Sequence, residues 1–209
     1  MRYFFQPKAD SPLAKIFIII LIAVIGVLGY LVFNWEKPTN NVEGDIELGN
    51  VNASAGSDQK FNYLVSQTSN NCGLQRQVVF NYSDNQRIQG SCCDKMDHHA
   101  YQEQIEGLRK YKDISIIPTD PYDISAGQAK QLFKYLEEIK LTSDQQATYN
   151  EAMKMSDEGG PCCCKCWHWD AYEGLAKKLI VDYGWNSEQI VQLWDFSDAC
   201  GGTGHEHAA

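Results

Sequence analysis

Two segments hold most of the residues able to do chemistry, Ser91–Tyr101 (SCCDKMDHHAY) and Pro161–Tyr172 (PCCCKCWHWDAY). They contain six of the eight cysteines in the 209-residue chain. Cys162, Cys164 and Cys166 alternate with one residue between neighbours, and His168 continues the register. In an extended segment alternate side chains point the same way, so three thiols and an imidazole would share one edge. Cys163 sits beside them. In the first segment Cys92 and Cys93 precede Met96, His98 and His99. On a helix Met96 and His99, three apart, share a face. The tail adds Cys200 and then His205 and His207. Soft sulfur with imidazole suits a copper(I) or zinc ion and disfavours magnesium or calcium. Thioether beside thiol and imidazole tips the expectation toward copper. Paired cysteines of structural zinc sites usually have two or more residues between them, a pattern that the single-residue spacing of Cys162, Cys164 and Cys166 fits poorly. The expected ligands are Cys162, Cys164, Cys166 and His168, with Cys163, and a second or shared set of Cys92, Cys93, Met96, His98 and His99.

Two other chemistries compete for the same residues. In an oxidising compartment eight cysteines permit 105 disulfide pairings, and the solitary Cys72 and Cys200 are the expected bridge partners. Bridges within Cys162–Cys166 would be strained, hence reducible. Thiol–disulfide redox chemistry is the third reading. Both clusters precede a predicted helix, whose positive end lowers a thiol's pKa. No Gly-rich phosphate loop, H-E-x-x-H or nucleophile elbow is present, and no Cys/His pair stands out as catalytic.

The elements that position these residues are predicted to be helices. Asp97–Lys112 spaces Ala100, Tyr101, Ile105, Leu108 and Tyr111 by threes and fours. Ser125 is the expected cap of a helix to about Lys140. Ser143 with Gln146 forms a capping box for a helix ending at Gly159-Gly160. A fourth helix is expected from Trp167 to Gly184, and a fifth capped by Ser187. The run Gln77–Tyr82 (QVVFNY) reads as a strand bounded by turn formers. The clusters also form a weak repeat. Each Cys-Cys pair is followed after six residues by Ala-Tyr, then by Glu-Gly-Leu at Glu106–Leu108 and Glu173–Leu175. The fold class is mainly α, a small helical bundle, with a short β element at about 76–83.

Ile16–Phe33 contains no charge. Its eighteen residues span about 27 Å as a helix, close to the hydrocarbon thickness of a bilayer. Arg2, Lys8 and Lys15 precede it, while Glu36, Glu43, Asp45 and Glu47 follow, so the positive-inside rule places the amino terminus in the cytoplasm. A cleaved signal peptide is disfavoured, because YLVFNWEKP lacks a small-x-small site. The expected organisation is a cytoplasmic terminus (1–12), a transmembrane helix in contact with membrane lipid (13–33), a flexible linker (34–60), an extracytoplasmic Cys/His-rich helical domain (61–200) and a flexible tail (201–209). Residues 1–33 hold three basic side chains and the acid Asp10 out of 18 basic and 27 acidic, leaving a net charge of -11 beyond them. That balance disfavours a nucleic-acid reader, which needs a basic face.

At Pro161–Cys166 the chain resembles uncharacterised membrane-anchored or lipid-anchored proteins with a Pro-Cys-Tyr-Cys-Gly-Cys motif. Pro161, Cys162, Cys164 and Cys166 match, whereas Cys163 replaces the tyrosine and Lys165 the glycine. The resemblance extends in element order over about 90–200. It implies helices before the motif, an amphipathic helix after it and metal handling. A fainter similarity is to the thiol-bearing helical domain of a cytochrome c maturation protein. The leading expectation is extracytoplasmic copper or zinc sequestration, or delivery to a protein partner. The alternatives are a membrane-tethered thiol oxidoreductase and a disulfide-stapled interaction domain.

Overall fold

The structure, a computed structural model, describes residues 52–202. The expected cytoplasmic terminus, transmembrane helix, most of the linker and the tail from 203 on, with His205 and His207, lie outside the described residues. No helix among the described residues is long and apolar enough to cross a membrane.

The chain is mainly helical. Helix α1 (Asp58–Leu64) starts where the Ser57 side chain accepts the Lys60 N–H. It therefore begins inside the stretch expected to be linker, held there by buried Lys60 and Leu64. The expected strand at 77–82 is corrected: α2 (Arg76–Val79) occupies that place. Val79 is fully buried while Val78 and Phe80 are exposed, so one helical turn buries the single side chain that matters. The ladder forms elsewhere, between β1 (Arg87–Gln89) and β2 (Asp123–Ser125), antiparallel with Ile88 opposite Ile124. Both isoleucines are buried.

Five longer helices follow the 3.6-residue pattern. In α3 (His98–Arg109) the Asp97 carboxylate accepts the Ala100 N–H, and Tyr101, Gln104, Ile105 and Leu108 face inward. Ser125 caps α4 (Ala126–Glu138), as its position predicts. Thr142 with Gln145, rather than Ser143 with Gln146, forms the capping box of α5 (Ser143–Met155). That helix stops before the glycine pair. Helix α6 (Trp167–Tyr183) ends on Gly184 in the left-handed conformation, φ 66°, which glycine reaches without a Cβ penalty. Asn186, not Ser187, caps the last long helix, α7 (Ser187–Ser197).

Helix α6 lies against α4, and α7 against α5 and α3. Most of the core is shared by these helices, with Trp167, Trp194, Tyr172 and Phe133 among its largest fully buried side chains. The repeated Glu-Gly-Leu acquires a physical role here. Gly107 lets the Phe196 ring of α7 lie on α3, and Gly174 lets the Leu132 carbonyl of α4 lie on α6. A Cβ at Gly174 would collide with backbone, which cannot swing aside. Gly174→Ala is expected to destabilise by about 1–3 kcal/mol, the cost of overpacking a tight contact, read as a lower denaturant midpoint at unchanged slope.

Candidate metal centre

Four loops are laced together at one end of the helices. The Cys72 N–H donates to the Cys92 carbonyl at 3.0 Å, and the Cys92 N–H to that of Ala199 at 2.8 Å. Asp94 N–H donates to the Cys200 carbonyl at 2.7 Å, and Gly202 N–H to that of Lys95 at 2.7 Å. Trp167 N–H reaches the Leu74 carbonyl at 2.9 Å. Buried Asn70 joins the loops by side chain, donating to the Gly90 carbonyl and accepting from the Trp167 indole at 2.8 Å. These bonds satisfy loop backbone that would otherwise be orphaned by burial. They also fix where each cysteine stands.

The result is that all eight cysteines of the chain gather in one place. Cys92, Cys162, Cys164 and Cys166 form one group whose sulfurs all lie within 4.8 Å of one another. Cys92, Cys162 and Cys166 are buried and Cys164 is half-buried. A second group is Cys93, Cys163 and Cys200, with Cys93 and Cys163 exposed. Cys72, Cys92, Cys93 and Cys164 make a third, and Cys162, Asp198 and Cys200 a fourth. Individual sulfur separations are 3.3 Å for Cys92–Cys93 and for Cys93–Cys163, 3.4 Å for Cys162–Cys200 and 2.7 Å for Cys163–Cys200. Cys72 and Cys93 are joined as a disulfide, and the other six cysteines are free thiols. The expected Cys72–Cys200 bridge is thus replaced by Cys72–Cys93, because the loop at 90–95 lies between the two.

Among the expected ligands, the structure brings Cys92, Cys93, Cys162, Cys163, Cys164 and Cys166 together. It does not bring the histidines or the methionine to them. His168 lies on the first turn of α6, fully buried, its ring stacked on Tyr172 at 4.2 Å and edge-on to Trp167 at 5.5 Å. Desolvation there lowers its pKa, because burial disfavours the charged imidazolium. Met96 is buried in a separate apolar cluster with Leu64, Tyr101, Ile105 and Tyr122, and its backbone bridges to Gly202. His98 pairs with Asp58 at 2.9 Å and His99 with Glu103 at 3.4 Å, both at the surface. Three residues enter the centre that spacing did not indicate: Cys72, Cys200 and Asp198. No local pattern marks them, since each reaches the centre from a loop distant in sequence.

The electrostatics divide the thiols. Hydrogen bonds from Cys162 and Cys92 hold the Cys166 thiol far below its ordinary pKa. Cys166 is also the N-cap residue of α6, where the helix favours an anion. Cys200 is lowered by the same two donors. Cys162 is raised by its hydrogen bonds to Cys166 and Cys200, while burial raises Cys163 and Cys164. The carboxyl of Asp198 is pushed up to about 8, chiefly by burial. Thiols must lose their protons to ligate a metal, so any soft cation held by these groups would displace protons from those whose pKa is raised.

The donor set limits what can be held. A tetrahedral zinc ion with Zn–S bonds of about 2.3 Å sets its sulfurs about 3.8 Å apart, within the observed convergence. An iron–sulfur cluster places iron and sulfide between its cysteines and spreads them farther. Thiolate-only sets suit copper(I) and zinc. No known family matches the chain, and no curated protein or solved structure matches it.

Proposed function

We propose that this chain is a membrane-tethered, extracytoplasmic binder of a soft metal ion, copper(I) in the first instance, serving sequestration or delivery. The observation that carries the reading is the four-sulfur group of Cys92, Cys162, Cys164 and Cys166. It is contributed by two segments 70 residues apart and is almost wholly buried. One disulfide joins Cys72 to Cys93, and the four cysteines of this group are free thiols. The tether is proposed on the uncharged run Ile16–Phe33 and its flanking charges. Membership in the family with the Pro-Cys-Tyr-Cys-Gly-Cys motif is proposed on Pro161, Cys162, Cys164 and Cys166 alone. Zinc is the competing ion. Copper(I) is preferred because it tolerates three-thiolate sets, such as Cys93, Cys163 and Cys200 once the Cys72–Cys93 bridge is reduced, whereas zinc sites are almost always four-coordinate.

The test is metal retention by the full-length chain in detergent, reduced, loaded anaerobically with copper(I) or zinc and then desalted. At least one equivalent is expected to stay bound. Cys164→Ser, at the half-buried member of the group, is expected to weaken retention at least tenfold. A reduced wild-type chain that keeps neither metal would overturn the proposal.

Thiol–disulfide exchange is the second reading. Cys163 lies 3.3 Å from Cys93 of the bridge, so its thiolate could attack Cys93 and release Cys72. Burial raises the Cys163 pKa, however, and so depletes the attacking thiolate.

A further inference from the structure

We infer that the centre is binuclear, taking two soft-metal ions when fully reduced and one when Cys72 and Cys93 are joined. The inference rests on the thiolate-binding reading above. It begins from which groups share residues. Cys92, Cys162, Cys164 and Cys166 form one convergent set, and Cys93, Cys163 and Cys200 form another, with no residue in common. Two ions therefore need not compete for a ligand.

The two sets abut. Cys92 is 3.3 Å from Cys93, and Cys162 is 3.4 Å from Cys200. Bound ions would then stand a few ångströms apart with thiolates placed to bridge them. Bridging spreads each sulfur's negative charge over two cations, which offsets the repulsion of crowding so many thiolates in one spot. Asp198 borders both sets through its grouping with Cys162 and Cys200. The sets also differ in access. The first is almost wholly buried, whereas Cys93 and Cys163 of the second face solvent. The first is the retained ion and the second the exchangeable one.

The disulfide decides whether the second set exists. Cys93 is bonded to Cys72, which removes one of three donors from the outer set and none from the inner. An external reductant breaks the S–S bond by supplying two electrons and two protons, and Cys93 becomes a free thiol. A phosphine does this while taking oxygen from water to become its oxide. Ion capacity then rises by one.

The test is stoichiometry by native mass spectrometry of the full-length chain in detergent. Samples with the bridge intact and after phosphine reduction are titrated anaerobically with copper(I), and separately with zinc. Two or more ions per reduced chain and one per bridged chain are expected. Cys163→Ser, at an exposed outer-set position, is expected to lower the reduced value to one. Cys72→Ser frees Cys93 and is expected to hold two ions without reductant. A single ion in the reduced wild-type chain would overturn the binuclear inference and leave single-ion binding standing. No retained ion would overturn both. Equal loading of bridged and reduced chains would refute the control by Cys72–Cys93.

Discussion

Loading the reduced chain with copper(I) at about a thousandfold excess over its dissociation constant is expected to stabilise the fold by about 4 kcal/mol. For a domain of this size that is a rise of about 10 °C in the unfolding midpoint. The physical reason is the origin of the ligands. Cys92 and Cys162–Cys166 meet only because four loops are hydrogen-bonded side by side. Unfolding disperses them, so an ion bound to the native set favours the native state. The Cys162–Cys166 run alone retains some affinity when unfolded, which trims the gain. Calorimetry with and without a copper(I) chelator checks this. A midpoint unmoved by metal would mean that the sulfurs do not act as one site. Cys164→Ser is expected to lose most of the shift while keeping its metal-free midpoint within a few degrees.

The second large effect is expected at Asp123, which belongs to none of the sulfur groups. Its carboxylate accepts from Lys60, Arg87 and the Gln89 amide, and the Lys60 and Asp123 side chains are 6% and 8% exposed. Removing one partner of a buried pair strands the other, so Asp123→Ala is expected to cost about 3–5 kcal/mol. The pH dependence has a definite sign. Burial pushes the Asp123 pKa up, but hydrogen bonds from Arg87 and Lys60 outweigh it and leave it lowered. A lowered carboxyl contributes stability above its unfolded value and loses it as pH falls through the folded one. Nearby Asp120 runs the other way. Burial raises it to about 6, so its protonated form favours the fold, and that contribution is lost as pH rises toward 6. Acid titration of wild type should therefore show a loss of stability at the low end that Asp123→Ala lacks. A variant with the same acid profile as wild type would show that the pair contributes nothing there.

Much of the fold was legible because helices announce themselves locally. The spacing of Tyr101, Ile105 and Leu108 reports one buried face, and Ser125 reports its cap. Caps chosen among neighbours were less legible. Thr142 and Asn186 displaced Ser143 and Ser187 by one residue, since adjacent polar side chains are nearly equivalent until the backbone turns. The strand expected in QVVFNY failed because a strand needs a partner, and the ladder at 87–89 takes its partner from 123–125. Three residues of strand carry too little pattern to be seen.

At the centre, residue type and spacing alone point to the chemistry: a crowd of thiols, soft donors, and two clusters beside helix starts. Cys162, Cys164 and Cys166 were recognisable from their density alone. Which residues join the centre depends on how the loops pack. That packing brought in Cys72, Cys200 and Asp198, left Met96 in an apolar cluster, and turned His168 into the core against Tyr172. The reason is one of range. Residue type and spacing act within a few positions along the chain. Which loops lie against one another depends on backbone hydrogen bonds such as Cys92 to Ala199, between segments about a hundred residues apart.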